Sequence, residues 1–270
     1  MSTPPYNKAE KSVNLSPLEQ NVYFNFYEKE VFRTDDVYRQ ISNKKTARQI
    51  ISRLKKKGYI KQIRRGLFAV VPAQMIGKDY TVDRILIASQ LATPYFLSHH
   101  TALEIHGVAQ SYFNIVYIST NKILKSFDFQ GTTYRFVTTK YLFGTEPVSR
   151  GNRNISASDR ERTILDCIRN IEYAGNIEEL AKSISAFSGL DYKKLLKYLD
   201  IFDEKSLYHR TGFIFDTLRD ELNVPEDFVD KITKKLSRRT YYLLKKTGGT
   251  YNKKWNIMVP GNIKEMMKIA

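Results

Sequence analysis

A single cysteine, Cys167, is all the thiol chemistry in this 270-residue chain. That excludes an internal disulfide framework, leaves too few thiolates for a cysteine-rich zinc or iron–sulfur site, and suits a reducing cytoplasm. No uninterrupted apolar run approaches the roughly 18 residues of a membrane span, and the opening MSTPPYNKAEKS lacks the apolar centre of a signal peptide, so no membrane partner is expected. There is no GxxxxGK[ST] loop and no GxGxxG after a strand, so no cofactor is implied. Acidic residues are scarce: 28 Asp+Glu face 44 Lys+Arg, a formal net charge of +16. A surface with that field favours polyanions such as nucleic acid, or an acidic partner. With 42% hydrophobic residues, 13 glycines and 8 prolines, the composition is that of a folded protein of one or two domains.

The charge is unevenly spread. Residues 1–75 hold 15 Lys+Arg and 6 Asp+Glu, a net of +9, whereas the other 195 residues hold 29 and 22, a net of +7. This asymmetry marks a small basic module whose edge falls near Val71–Pro72. Residues 1–14 read as a polar arm, 15–75 as the module and 80–270 as a larger domain.

Within the module, Ser16 and Pro17 read as N-cap and first residue of a helix carrying Leu18, Val22 and Phe26 inward. Thr34, followed by Asp35 and Asp36, starts a second helix with Val37 and Ile41 as its inner face. Ser42 or Asn43 caps a third. There Ala47, Ile50, Ile51 and Leu54 recur at i, i+3, i+4 and i+7, one narrow apolar stripe. At about 100° per residue, Lys45, Gln49, Ser52 and Lys56 project from the opposite side, with Arg48 and Arg53 on the flanks and Lys44 at the entrance. All seven can donate hydrogen bonds and none is acidic.

Gly58 ends that helix, and residues 59–63 and 67–71 read as a β-hairpin with a basic tip, Arg64-Arg65-Gly66. Three short helices and a hairpin make a winged helix-turn-helix. Its third helix suits the DNA major groove, where Arg, Lys, Gln and Ser reach base edges, and Lys61, Arg64 and Arg65 of the wing lie over phosphate. Double-stranded DNA is therefore the expected partner. The plainer reading, a solvated basic helix in a protein-contact module, stands beside it.

The larger part reads as α+β with a helical C-terminal half. Helices are expected over Asp83–Leu91 and from Ser98 to His106, and strands over Ile115–Ser119, Phe127–Phe129 and Tyr134–Thr138. Ser158 and Glu161 form a capping box for a helix carrying Ile164, Leu165 and Ile168. Asn176, Asp191, Ser206 and Pro225 open further helices, the last ending before Gly248-Gly249, and residues 255–259 return to a strand.

The basic module with its RRGLF hairpin, the YFLSHHTALEIHG stretch, the ISASDRERTILDCI helix start and the terminal GGTYNKKWNIMVP together resemble the AbiEi family of type IV antitoxins over nearly the whole chain. The resemblance implies a transcriptional autoregulator that represses its own operon at inverted repeats through the winged domain. It further implies that the second domain counteracts a companion nucleotidyltransferase toxin, with or without a stable complex, and that the chain is not an enzyme.

Catalytic alternatives are thin. His99 and His106 lie roughly 10 Å apart along a helix, too far to chelate one ion, and a metal site needs carboxylates brought in by the fold. Cys167 reads as a small core residue. Asp159, Glu161 and Asp166 suggest either an acidic nuclease cluster or, more simply, a helix cap. Trp255, with Tyr251, Lys253 and Lys254, either packs an end strand or stacks on RNA. The competing function is a metal-dependent nuclease docked by the winged module. A third is a second domain that binds only protein, the positive patch recognising an acidic partner.

Overall fold

The structure, a computed structural model, describes residues 15–245 and 249–268; the arm expected at 1–14 lies outside them. The described residues form a mixed α+β protein with twelve α-helices and three sheets. The chain divides into two compact units, residues 1–90 and 91–270. The break falls later than residues 75–80 because the connecting segment is tied to the first unit. Lys61 Nζ donates to the Tyr80 carbonyl at 2.7 Å, and the Arg33 guanidinium donates to the Gln90 carbonyl.

The first unit runs α1 (Pro17–Tyr27), β1 (Val31–Arg33), α2 (Thr34–Gln40), α3 (Lys44–Lys56), β2 (Ile60–Arg64), β3 (Leu67–Val70) and α4 (Arg84–Ser89). Ser16 and Glu19 form a reciprocal capping box on α1, with Pro17 in the first turn. The inner face of α1 is Glu19, Val22, Tyr23 and Phe26, again i, i+3, i+4, i+7, and Leu18 is exposed. A carboxylate hid this stripe in the sequence: Glu19 is buried because Lys57 Nζ lies 2.7 Å from it. Helix α2 is capped by Asp36, which accepts the Arg33 amide at 2.8 Å, and not by the Thr34 hydroxyl.

The three strands form an antiparallel sheet in the order β1-β3-β2, with Arg33 opposite Leu67 and Ile60 opposite Val70. Gly66 turns the hairpin at φ +77°, a left-handed conformation that favours glycine. Strand β1, only Val-Phe-Arg, was not anticipated. Its Phe32 ring stacks on Phe26 at 4.5 Å inside the core that also takes Val22, Val37, Leu54 and Phe68.

The second unit begins with β4 (Phe96–Leu97), α5 (His99–Ile105), β5 (Ile115–Thr120), β6 (Phe127–Phe129), β7 (Thr132–Thr138), β8 (Thr145–Arg150) and β9 (Arg153–Ser158). These strands make one mixed sheet in the order β6-β7-β5-β4-β9-β8. Helices follow: α6 (Arg160–Arg169), α7 (Ile177–Ala186), α8 (Tyr192–Phe202), α9 (Lys205–Thr217), α10 (Arg219–Leu222) and α11 (Glu226–Thr233). The helix opened by Pro225 thus stops well short of Gly248, and the C-terminal part is not helical throughout. It closes with β10 (Tyr241–Tyr242), β11 (Thr250–Asn252) and β12 (Ile257–Val259), then α12 (Ile263–Met266). The sheet order is β10-β12-β11, β10 parallel and β11 antiparallel to the centre. Trp255, outside the strand, is buried between this sheet and α9, where Gly212 leaves no room for a Cβ: one placed there would lie 1.9 Å from the indole.

Among the described residues no helix is long and apolar enough to cross a membrane.

Candidate nucleic-acid interface

Helix α3 is defined at both ends by local chemistry. Asn43 Oδ1 accepts the Lys45 and Thr46 amides at 3.0 and 3.1 Å, and after the C-cap Lys57, Gly58 turns the chain at φ +82° into β2. Its 13 residues span about 20 Å. Ala47, Ile50, Ile51 and Leu54 are all buried. Each of the three larger ones gains about 1.5–3 kcal/mol on leaving water, which fixes the rotation of the helix. That rotation turns Lys44, Lys45, Arg48, Gln49, Ser52, Arg53, Lys55 and Lys56 outward, all exposed, with no acidic side chain on the helix.

Tyr38 of α2 was missed in the sequence. Its ring packs against the core of the first unit, its hydroxyl accepts a hydrogen bond from Arg48 Nε at 2.9 Å, and Lys44 Nζ lies 5.8 Å from its centroid. Held through Nε, the Arg48 guanidinium keeps its two terminal amino groups, the pair that makes a bidentate fork. A tyrosine next to the inward-facing Val37, on the helix preceding the basic stripe, was the available signal.

The hairpin behaves less uniformly than its basic letters imply. Arg65 is exposed at the tip. Lys61 is half-buried, its ammonium held on the Tyr80 carbonyl and 6.0 Å from the Tyr80 ring centroid. Arg64 is half-buried, and burial together with the neighbouring Arg33 guanidinium lowers its pKa from the ordinary arginine value. Lys55 Nζ bridges from α3 to Gln62 of β2 at 3.0 Å.

In the second unit the titratable groups serve each other. The α6 cap is Asp159, whose Oδ1 accepts the Arg162 amide at 2.9 Å, one residue after the expected Ser158. Ser158 ends β9 and shares a 2.7 Å hydrogen bond with the Thr163 hydroxyl. Asp159 also accepts from the Tyr198 hydroxyl at 2.7 Å, and burial followed by that carboxylate pushes the phenol up to about 12. Lys194 Nζ sits 3.1 Å from Asp159 and 2.9 Å from Glu161. Asp166 pairs with the buried Arg162 at 2.9 Å, whose guanidinium stacks on Phe143 and Phe202. Each carboxylate considered for a nuclease cluster thus has a cation beside it. Burial raises the Cys167 thiol well above its ordinary pKa.

Histidine chemistry is likewise internal. His99 Nδ1 shares a 2.8 Å hydrogen bond with Ser98, and burial lowers its pKa to about 4. The fold brings two carboxylates to His100: Nδ1 is 3.1 Å from Glu104 and Nε2 is 3.4 Å from Glu179, neither aligned as a hydrogen bond. His106 Nε2 meets the Ser158 carbonyl at 2.8 Å, and His209 Nδ1 meets the Trp255 carbonyl at 2.7 Å. Among the described residues no group of three His, Cys, Asp or Glu side chains is placed to hold a metal ion.

No protein-family model matches the sequence, and no curated protein matches it. Among solved structures the chain is similar to the crystal structure of the RV2827C protein from Mycobacterium tuberculosis. The TM-score is 0.64 at 11% identity, covering 91% of this chain and 92% of that one. The likeness establishes a common fold along nearly the whole length.

Proposed function

We propose that the first unit is a winged helix-turn-helix that reads duplex DNA through α3, and that the chain acts as a sequence-specific repressor. One observation carries this reading: α3 turns a continuous row of hydrogen-bond donors outward, all exposed and without an acidic residue among them. An α-helix of this girth fits a major groove about 12 Å wide, and the side chains on its outer face match the donors that recognise guanine and adenine edges. The helix order, with a hairpin whose tip presents Arg65, supports the same reading. Phosphate contacts come from the exposed lysines and from Arg53 and Arg65, and base contacts from Arg48, Gln49 and Ser52.

The resemblance to AbiEi antitoxins extends the proposal to cytoplasmic autoregulation and to antagonism of a nucleotidyltransferase toxin by the second unit. A promoter fusion carrying the DNA upstream of its own reading frame tests the regulatory half: co-expression of the full chain represses it, and repression is lost with Lys45→Ala/Arg48→Ala. An unrepressed promoter, or repression unaffected by those substitutions, contradicts the proposal. For the second half, the chain restores growth to cells expressing a nucleotidyltransferase encoded beside it, and failure to do so removes the antitoxin role while leaving DNA binding intact.

A further inference from the structure

The small C-terminal sheet presents a face that neither DNA reading nor the core uses. Register places Tyr242, Met258 and Tyr251 side by side across β10, β12 and β11. Laterally paired residues share a face of a sheet. Ile257 and Val259 point the other way and are buried, whereas Tyr242 and Tyr251 remain 37% and 50% exposed. With strands spaced about 4.8 Å apart, the two rings stand about 10 Å apart with the Met258 thioether between them. The Tyr251 hydroxyl donates to Asn256 Oδ1 at 3.0 Å, which tethers its ring.

Cations collect at one end of this row. Arg238 and Arg239 precede β10 with only Thr240 between, Lys253 immediately follows β11, and because Tyr241 and Asn252 both pair with Ile257, those two chain ends meet at the same end of the sheet. All three are exposed, and among the described residues none has a carboxylate partner. Arg239 lies 5.5 Å from the ring centroid of Tyr241, which shares the Ile257 side of the sheet, so Arg238 and Lys253 are the cations left to the outer row. Neighbouring lysines differ: Lys245 is 2.6 Å from Glu172 and Lys254 is 2.7 Å from Asp216. The cations at this end of the aromatic row are thus left without a neutralising carboxylate among the described residues.

We infer that this face binds a single-stranded nucleic acid, bases stacking on Tyr242 and Tyr251 and backbone phosphates meeting Arg238 and Lys253. Aromatic rings in a row recognise the π-faces of unpaired bases, and cations beside them track the backbone. Duplex DNA, whose bases are already stacked, satisfies only the cations. An acidic protein segment would likewise leave the tyrosines idle.

Fluorescence anisotropy with labelled oligouridine and oligothymidine of roughly 12 nucleotides tests this, the two arms separating RNA from DNA. The full chain carrying Lys45→Ala/Arg48→Ala is used so that the α3 face does not mask the result. Binding persists in that background and falls about 25-fold or more on adding Tyr242→Ala and Tyr251→Ala, whereas Tyr242→Phe and Tyr251→Phe together stay within about twofold. Duplex binding by the otherwise unaltered chain does not respond to the tyrosine changes. Equal binding by the double alanine variant, or loss of all single-strand binding in the α3-silenced background, overturns the inference. Photo-crosslinking of the unaltered chain to thiouridine-substituted RNA checks it without any substitution: adducts fall on peptides containing Tyr242 or Tyr251, and adducts confined to residues 44–65 contradict it.

Discussion

Salt dependence tests the electrostatic half of the DNA proposal, because the structure says which cations are free to act. Exposed on α3 and the hairpin tip, apart from Arg48, are Lys44, Lys45, Arg53, Lys55, Lys56 and Arg65. Six phosphate contacts, each releasing about 0.9 counterion, give a log–log slope near −5 per protomer, so affinity falls about a thousandfold between about 50 and about 200 mM salt. Lys61 is absent from this count because it is half-buried with its ammonium held on the Tyr80 carbonyl, whereas Lys55, bonded to the exposed Gln62 side chain, stays at the surface. Arg65→Ala therefore flattens the slope by about one unit, and Lys61→Ala leaves it unchanged. Fluorescence anisotropy on one duplex across a salt series measures both. A slope shallower than about −2 for the unaltered chain, or a Lys61→Ala effect as large as that of Arg65→Ala, refutes this assignment of contacts.

Three further outcomes follow from particular contacts. Tyr38→Phe keeps the ring in the core but removes the acceptor that holds Arg48 Nε. It lowers discrimination between specific and random duplex by about fivefold in a competition assay, with binding to random duplex unchanged; equal loss on both duplexes contradicts a positioning role. Gly212→Ala drives a methyl group into the Trp255 indole and destabilises the second unit by about 3 kcal/mol or more, read as a lowered melting transition in Trp fluorescence; an unchanged transition contradicts that packing. His99 is buried with its pKa lowered to about 4 from 6.5. The unfolded chain therefore binds the extra proton first, and stability is lost as pH falls from about 6.5 through about 4, roughly 3 kcal/mol in all. His99→Asn, a residue that tolerates the left-handed φ of +52°, removes that part of the pH dependence of the urea midpoint; an unchanged acid slope contradicts it.

What the sequence disclosed was whatever a single element decides by itself. Ala47, Ile50, Ile51 and Leu54 sit at one helical spacing, so both the buried stripe and its basic reverse were legible, as were the caps Asn43, Asn176 and Asp191. Long-range pairings were not. The place of Glu19 in the buried stripe was not legible because its partner Lys57 is 38 positions away, and the tethering of Lys61 and the half-burial of Arg64 depend on Tyr80 and Arg33. Strands β8 and β9 went unread because β8 faces solvent along nearly its whole length and gives no alternation. The end of α11 was placed too late, since Lys234, Lys235, Arg238 and Arg239 continue a polar pattern without a helix breaker. The tyrosine row of the last sheet exists only through register between segments separated in sequence.

Selection of binding sites from a random duplex pool by the full chain, followed by competition against unselected duplex, measures the central claim directly. The account predicts an enriched motif bound about a thousandfold or more tighter than random DNA, and collapse of that preference in Lys45→Ala/Arg48→Ala/Gln49→Ala with weak non-specific binding retained. No enriched motif, or the same motif bound with undiminished preference by the triple variant, would contradict it.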